Sequence, residues 1–277
     1  MPAPLRLTRR RFLGLMALAP TALAVDAVGF APRELAAVER EVALPGLPPE
    51  LAGLRVGVLS DFHAGHVSLG LARDAVQLLD GLAPDLVCLP GDLVHGDPAV
   101  ASPLADILAT LRPRLGTFAS LGNHDHWSSA VPQLRTELDR RGIPLLLNQA
   151  RPLTHGLWVA GLDDPYTGRP DLRKALAKVP AGEQALLLCH APDYADHIAG
   201  QPGAIPLQLS GHSHGGQVVL PRLGPIKLPP LGRRYHTGLY AVSGTDRQVY
   251  TTRGVGHTLP IRFNCPPEVT LLVVRPA

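Results

Sequence analysis

Carboxylate, amide and imidazole side chains recur in five short clusters, each placed directly after an apolar run of the chain. Their candidate metal ligands are Asp61, His63, Asp92, Asn123, His190, His212 and His214. Oxygen and imidazole ligands without a thiolate suit divalent transition metals such as Mn, Fe, Zn or Co. Seven ligands are too many for one tetrahedral zinc but fit two ions that share a bridging carboxylate. Two such ions about 3.5–4 Å apart can produce hydroxide near neutral pH and promote in-line displacement at phosphorus.

The apolar runs before these clusters are typical of buried strands, and helical patterns separate them. We predict strands over 55–60, 85–90, 117–121, 143–147, 157–161, 184–189 and 206–210, and helices over 68–82, 101–111, 131–141 and 172–178. After Gly216 the pattern predicts further strands at 218–220, 238–243, 248–252 and 268–274, without helices between them. The chain should therefore begin as α/β and end rich in β structure. Because the carboxyl ends of strands in an α/β sheet face one crevice, the clusters should converge there.

The motifs DFH, GD, GNHD, the strand-terminal His190 and GHSH, in this order, resemble the five motifs of calcineurin-like metallophosphoesterases. The resemblance runs from about Leu54 to His214, and the tail is similar to the exported YkuE/YaeI-like branch of that family. It implies an α/β fold in which a two-sheet β-sandwich core is flanked by helices (α/β/β/α). It also implies that residues 50–277 form the phosphoesterase domain.

The resemblance also implies a role for each residue of the motifs. The first ion would be held by Asp61, His63 and His214, the second by Asn123, His190 and His212, with Asp92 as the bridge. His124 would be the general acid that protonates the leaving alkoxide, and Asp125 would orient it. An imidazole suits this task because its pKa lies near working pH.

The expected activity is hydrolysis of a phosphomonoester or phosphodiester by a hydroxide that bridges the two metals. The alternative is a pyrophosphatase that acts on a lipid-linked nucleotide sugar such as UDP-2,3-diacylglucosamine, and a second alternative is a non-catalytic binding scaffold. A metallo-β-lactamase-type hydrolase is disfavoured because Gly215, Gly216 and Gln217 follow His214, where that family needs an Asp-His pair. The chain has no long insertion that could form a cap, which predicts an open cleft for a small or lipid-linked phosphoester. No aromatic platform accompanies the basic residues, so no specific nucleic acid is expected.

The stretch from Gly211 to Cys265 contains seven basic residues and one acid, Asp246. It could be a solubilising surface or an electropositive rim that attracts an anionic substrate or surface. Arg253 and Arg262 are candidate phosphate contacts within this stretch. Outside the motifs, His66, His95 and His126 stand at no ligand position and could contact substrate, but solvated side chains are favoured. Cys88 and Cys189 lie in apolar runs and are expected to be small buried hydrophobes.

The first thirty residues have the layout of an export signal. Arg9, Arg10 and Arg11 precede an apolar stretch from Phe12 to about Ala24. Thr8 to Leu13 also resembles a twin-arginine signal, which implies the twin-arginine export machinery as a partner and export as a folded protein. We therefore expect an exported protein of the periplasm or cell envelope. The alternative is an uncleaved N-terminal anchor that attaches the enzyme to the membrane.

Overall fold

The computed structural model describes residues 21–277, so the cluster of Arg9, Arg10 and Arg11 lies outside the described residues. The described chain begins with a helical segment that continues as a π-helix, Asp26–Phe30, and a 3-10 helix, Ala31–Arg33. Among residues 21–277, no helix is both long and apolar enough to cross a membrane. The remainder folds as two main mixed sheets and six α-helices.

The first sheet has five strands in the order β1-β13-β2-β3-β4. Its strands are β1 (Ala36–Leu44), β2 (Arg55–Val58), β3 (Leu86–Pro90), β4 (Thr117–Ser120) and β13 (Glu268–Pro276). Strands β2, β3 and β4 are parallel, and β13 runs antiparallel to β2 and parallel to β1. The C-terminal strand therefore occupies the second position of the sheet, between the first and second strands of the chain.

The second sheet has six strands in the order β11-β12-β8-β7-β6-β5. Its strands are β5 (Gln149–Thr154), β6 (Leu157–Gly161), β7 (Gln184–Leu188), β8 (Ala204–Ser210), β11 (Gly238–Ala241) and β12 (Gln248–Thr251). The four central strands β6, β7, β8 and β12 are parallel, and both edge strands are antiparallel to their neighbours. A separate two-stranded hairpin consists of β9 (Val219–Leu220) and β10 (Gly224–Pro225).

Five of the six helices lie on the outer faces of the two sheets, and the short helix Asn123–Trp127 lies at the strand ends. They are α1 (Leu69–Gly81), α2 (Ala101–Leu108), α3 (Asn123–Trp127), α4 (Val131–Asp139), α5 (Leu172–Leu176) and α6 (Tyr194–Ile198). Short 3-10 turns occur at Pro49–Leu51, Pro98–Val100 and His214–Gly216. Helix α1 begins where the sequence predicts, because the Ser68 hydroxyl accepts a hydrogen bond from the Gly70 N–H and caps the helix.

Side chains alternate between the two faces of each strand, and this alternation explains how the sheets and helices form layers. Side chains on one face of β2 and β3, such as Val56 and Cys88, pack against the second sheet, whereas the intervening Val87 and Leu89 pack under α1, α2 and α4. In the second sheet Leu186 and Leu188 face the first sheet, and Leu187 packs with α5 and α6. The result is a β-sandwich flanked by helices on both sides, which confirms the predicted α/β/β/α class.

The sequence places most strands correctly, but it predicts one strand that does not form and misses strands β1, β5 and β10 and the short helices α3 and α6. Residues 143–147 are not a strand, because Leu145 makes only an isolated bridge to Ala119 and Pro144 provides no N–H for a ladder. The structure instead has strand β5 at Gln149–Thr154, and the sequence also missed β1. Strand β1 lies before residue 50, at which we predicted that the domain begins, and its pairing with β13 ties it to the first sheet.

Candidate metal centre

The five polar clusters lie at the carboxyl ends of five parallel strands. Asp61 follows β2, Asp92 follows β3 and Asn123 follows β4, whereas His190 and His212 follow β7 and β8 of the other sheet. Nearly all these side chains are buried; the relative exposure of Asp61 and His190 is 0%. The two sheets therefore bring their strand ends together at one edge of the sandwich, as predicted.

Five of the candidate ligands adopt a backbone conformation that L-residues rarely adopt. Their φ angles are positive: Asp61 57°, His63 47°, Asp92 52°, His212 70° and His214 50°. Positive φ at a non-glycine residue costs energy and is concentrated at functional sites. The concentration of this strain at the ligand positions indicates that the loops are shaped to aim these side chains.

Glycines beside the ligands allow the loops to approach one another closely. A methyl group on Gly122 would overlap the Asp92 carboxylate and lie 2.5 Å from the Asp92 backbone nitrogen. Likewise, a methyl group on Gly254 would lie 2.7 Å from the Asp61 Cβ. Only glycine permits this packing, so the GN and RG turns hold the two carboxylates in place.

Asp61, His63 and His214 form the first group of ligand atoms. The Nε2 atoms of His63 and His214 are 3.0 Å apart, and Asp61 Oδ1 lies 3.9 Å from the former and 3.5 Å from the latter. Burial lowers the pKa of both imidazoles well below its usual value. Both rings are therefore neutral near pH 7, the state in which an imidazole can coordinate a metal.

Asp61, Asp92 and His190 form a second group that shares Asp61 with the first. His190 Nε2 lies 3.1 Å from Asp92 Oδ2 and 4.0 Å from Asp61 Oδ1. His190 Nδ1 is 2.7 Å from the Pro90 carbonyl, and His212 Nε2 is 2.8 Å from the Pro230 carbonyl. These carbonyls orient the two rings, which leaves Nε2 of His190 and Nδ1 of His212 to act as ligands. The His190 and His212 ring centroids are 5.0 Å apart.

The polar atoms of this centre fit a divalent metal. Asn123 Oδ1 is buried without a hydrogen bond, a state that is costly in a folded protein unless another partner is bound. Burial raises the pKa of Asp61 to about 6. Burial alone would lower the pKa of His190, but the Asp92 and Asp61 carboxylates raise it to about 10. Buried carboxylates, neutral imidazoles and an unpartnered amide oxygen together suit cations with oxygen and nitrogen ligands.

His124 lies beside this centre and faces the cleft. It is half-buried, and its backbone N–H donates to Asp92 Oδ1 at 2.7 Å. Its ring lies 4.6 Å from that of His63 and 4.8 Å from that of Trp127, centroid to centroid. Both Asp125 oxygens accept backbone N–H groups, from Val94 at 2.8 Å and Gly122 at 2.9 Å. Asp125 therefore holds the turn that carries His124 and orients it through the backbone of α3.

The two arginines considered as phosphate contacts have partners within the protein, and neither lines the cleft over the metal centre. Arg253 Nε forms a 2.6 Å ion pair with Glu268. The Arg262 side chain is fully buried, and its guanidinium donates to the carbonyls of Cys265, Arg253 and Gly256 at 3.0, 2.8 and 2.5 Å. Arg262 thus stabilises the loop whose Gly256 N–H bonds to the Asp61 carbonyl at 2.7 Å.

The structure also gives partners to histidines that we expected to be solvated. His95 Nδ1 is 3.2 Å from His63 Nδ1, and its ring centroid lies 4.2 Å from that of His124, so His95 belongs to the site. His126 Nε2 bonds to Asp163 at 2.8 Å, which raises the pKa of His126. Only His66 is mainly exposed, with its Nε2 against the Thr258 carbonyl. His95 lies three residues after Asp92 of the GD motif, and this short spacing was the available signal.

An open cleft of about 610 Å³ lies over the metal centre, lined by Asp92, Asn123, His124, His212 and His214 on the floor. Its walls are largely apolar and include Trp127, Tyr166, Val218, Ile226, Leu259 and Ile261. The rings of Trp127 and Tyr166 are 5.8 Å apart, and both are exposed. The sequence did not reveal this aromatic pair, because the two residues come from different loops.

The comparisons with known proteins agree with this geometry. Residues 54–216 match the sequence model of the calcineurin-like phosphoesterase family. The chain is 32% identical to the metallophosphoesterase YkuE of Bacillus subtilis over 98% of each chain. It is 35% identical to the phosphodiesterase YaeI of Escherichia coli, over 80% of this chain and 82% of that protein. It is 27% identical to the UDP-2,3-diacylglucosamine pyrophosphatase LpxG of Chlamydia trachomatis, over 83% and 86%.

A solved structure supports the fold. A dimetal phosphatase from Danio rerio superposes with a TM-score of 0.51 at 13% identity, over 76% of this chain and 90% of that one. At this identity the likeness concerns the fold alone. The family match spans more than half of the chain and includes all five motifs, whose residues the structure brings together. The chain belongs to the calcineurin-like phosphoesterase family and is a metal-dependent phosphoester hydrolase.

Proposed function

We propose that the protein hydrolyses a phosphomonoester or phosphodiester with two divalent metal ions held at the strand ends. The observation that carries this proposal is the pair of overlapping ligand groups, Asp61-His63-His214 and Asp61-Asp92-His190, with an unpartnered Asn123 amide oxygen beside them. One group alone would fit a single ion. Asp92 Oδ2 lies 3.7 Å from His63 Nε2 in the first group and 3.1 Å from His190 Nε2 in the second, so this carboxylate is placed to be shared by a pair of ions.

In this proposal each residue of the centre has a defined role in metal binding. Asp61, His63 and His214 would hold one ion, Asn123, His190 and His212 would hold the other, and Asp92 would be shared between them. When bound, the ions, which would be Mn, Fe, Zn or Co, supply an activated water and neutralise charge that develops on the phosphoryl oxygens. The Pro90 and Pro230 carbonyls keep the His190 and His212 rings turned toward the centre.

His124 is proposed as the acid that protonates the leaving oxygen. Its ring borders the cleft, and its backbone N–H is bonded to Asp92, so the proton donor and the bridging carboxylate keep a fixed separation. Protonation matters most when the leaving alkoxide is a strong base, because such an alkoxide departs slowly without a proton. The intact ligand set and His124 argue against a non-catalytic scaffold.

A series of phosphoesters with leaving groups of increasing pKa tests this role. For His124→Ala we expect turnover of alkyl esters to fall by about 10²–10⁴-fold, the usual contribution of a general acid. Activated aryl esters should lose about tenfold or less, and the metal content should not change. His197→Ala, which removes an exposed imidazole on α6, serves as the matched control. An equal loss across the whole series would contradict the assignment of His124.

A pyrophosphatase activity on a lipid-linked nucleotide sugar is the second candidate. Two observations support it: the apolar walls of the cleft, and the 27% identity to LpxG, which is named as a UDP-2,3-diacylglucosamine pyrophosphatase. Apolar walls can accept acyl chains while the metal centre binds the phosphates. Comparing UDP-2,3-diacylglucosamine with its deacylated analogue separates the two candidates, because only the lipid candidate predicts a large preference for the acylated compound.

We also propose that the chain is exported as a folded protein through the twin-arginine machinery. The support is the sequence Thr8 to Leu13, which precedes the described residues. Changing Arg9 and Arg10 to Lys should leave the protein in the cytoplasm, as fractionation of cells would detect. Unchanged export would contradict the proposal, and recovery of the full-length chain in membranes would favour the uncleaved anchor.

A further inference from the structure

The large apolar side chains that are exposed in residues 21–277 occur in only two places. Five surround the cleft or the adjoining hairpin: Trp127, Tyr166, Leu223, Ile226 and Leu259. The other four lie in the N-terminal helical segment: Leu23, Val25, Val28 and Phe30. Scattered single apolar residues need no explanation, but such a segregated set marks an interaction surface.

The hairpin formed by β9 and β10 presents the most exposed of these side chains. Leu223, in its turn, is 81% exposed, and Ile226, just after β10, is 64% exposed. Arg222 and Lys227 flank them, are exposed and make no ion pair within the described residues. No acidic residue occurs between Gly211 and Thr245. An apolar tip with unpaired cations and no carboxylates is complementary to an anionic surface that has an apolar interior.

The N-terminal segment meets the rim of the same cleft. The Arg262 N–H donates to the Ala27 carbonyl at 2.9 Å, which fixes the segment beside the loop that carries Leu259. Leu259 is 64% exposed and lines the cleft, and Phe30 is 66% exposed. The exposed apolar side chains of the described N-terminal segment therefore lie beside the loop that carries Leu259.

We propose that this face, defined by Leu223, Ile226 and Leu259 with Arg222 and Lys227, docks on the surface of a bilayer that contains anionic phospholipids. The leucine and isoleucine side chains would enter the boundary between headgroups and acyl chains, and the two cations would contact lipid phosphates. Docking in this orientation places the mouth of the cleft at the headgroup layer. A phosphoester attached to an acyl chain could then reach the metal centre while its chain remains in the bilayer. The docking itself does not require the proposed hydrolysis.

Sedimentation with vesicles tests the proposal on the full chain. We compare vesicles of phosphatidylglycerol and phosphatidylcholine with vesicles of phosphatidylcholine alone, at low and high salt. The variant Arg222→Glu/Leu223→Asp alters two hairpin residues that do not line the cleft. The control Arg173→Glu/Ala181→Asp makes the same change of net charge at exposed positions on α5 and before β7. Thermal unfolding checks that each variant is folded.

We expect the unaltered chain to bind the anionic vesicles and to release them at high salt. The hairpin variant should bind at least about tenfold more weakly, because it loses an inserting leucine and replaces a cation by a carboxylate. The control should bind like the unaltered chain. Failure of the unaltered chain to bind anionic vesicles, or equal binding by the hairpin variant, would overturn the proposal. So would a stable dimer, disrupted by the hairpin variant, that does not bind vesicles.

Discussion

Replacing Arg262 by methionine separates a structural from a substrate-binding role for this buried side chain. The guanidinium donates to four carbonyls, those of Cys265, Arg253, Gly254 and Gly256. Burial lowers the pKa of Arg262 only to about 10, so it remains charged at neutral pH. Methionine has a similar length but no donor. The substitution therefore leaves these carbonyls without their partner in the interior.

The loss of stability follows from these contacts. A hydrogen bond from a charged donor contributes about 1.5–3 kcal/mol, and removing the buried charge recovers several kcal/mol of desolvation. We expect a net decrease of about 3–5 kcal/mol in the free energy of unfolding. For a domain of this size, that corresponds to a melting temperature lower by about 10 °C. Because Gly256 and Val255 hold the backbone of Asp61 and Ser60, metal affinity should fall as well.

Thermal unfolding and steady-state kinetics at saturating metal provide the assay. Arg222→Met, which removes an exposed arginine, is the control and should unfold like the unaltered protein. We expect the KM of Arg262→Met for a small phosphoester to remain within about twofold, since the side chain does not face the cleft. A large increase in KM with an unchanged melting temperature would refute this reasoning and restore Arg262 as a phosphate contact.

Two further predictions concern the ligands themselves. Gly122→Ala should abolish tight metal binding, measured by calorimetry, because its methyl group overlaps the Asp92 carboxylate. The control Gly81→Ala, at the end of α1 where a methyl group meets no neighbour, should bind metal like the unaltered protein. Equal metal affinities of the two variants would contradict the packing argument. Metal affinity should also rise with pH, because His190, with a pKa of about 10, must lose its proton on binding. Metal affinity should rise about tenfold per pH unit above pH 6. Below the Asp61 pKa of about 6 the rise should be steeper, because metal binding then also releases the Asp61 proton. A metal affinity that does not change with pH would exclude these residues as ligands.

The sequence predicted the positions of the ligands better than their surroundings. Each of the five clusters follows a strongly apolar run, and a strand buried on both faces is recognisable in the sequence as a continuous run of apolar residues. The strand β1, in contrast, has the mixed pattern AAVEREVAL, and five of its nine residues are exposed, so its pairing with β13 could not be anticipated. Run 143–147 is apolar because it is buried, but a proline prevents it from forming a ladder.

Contacts between distant segments also could not be predicted from the sequence. His95 and Arg262 are ordinary loop residues until the fold places one against His63 and the other behind Asp61. Nothing in their spacing distinguishes an arginine that binds phosphate from one that binds backbone carbonyls. Trp127 directly follows the GNHDH motif, but its partner Tyr166 comes from the loop after β6. Side chains that share a site through tertiary packing alone require the structure.

Metal analysis of the purified chain and of Asp92→Asn tests the central claim most directly. Asp92 lies between His63 and His190, so a neutral amide at this position removes the charge that both ions would share. We predict about two divalent transition-metal ions per chain, and loss of metal and of phosphoesterase activity in Asp92→Asn. Asp246→Asn, an exposed carboxamide substitution, should retain both. A single ion whose binding and activity survive Asp92→Asn would contradict the account.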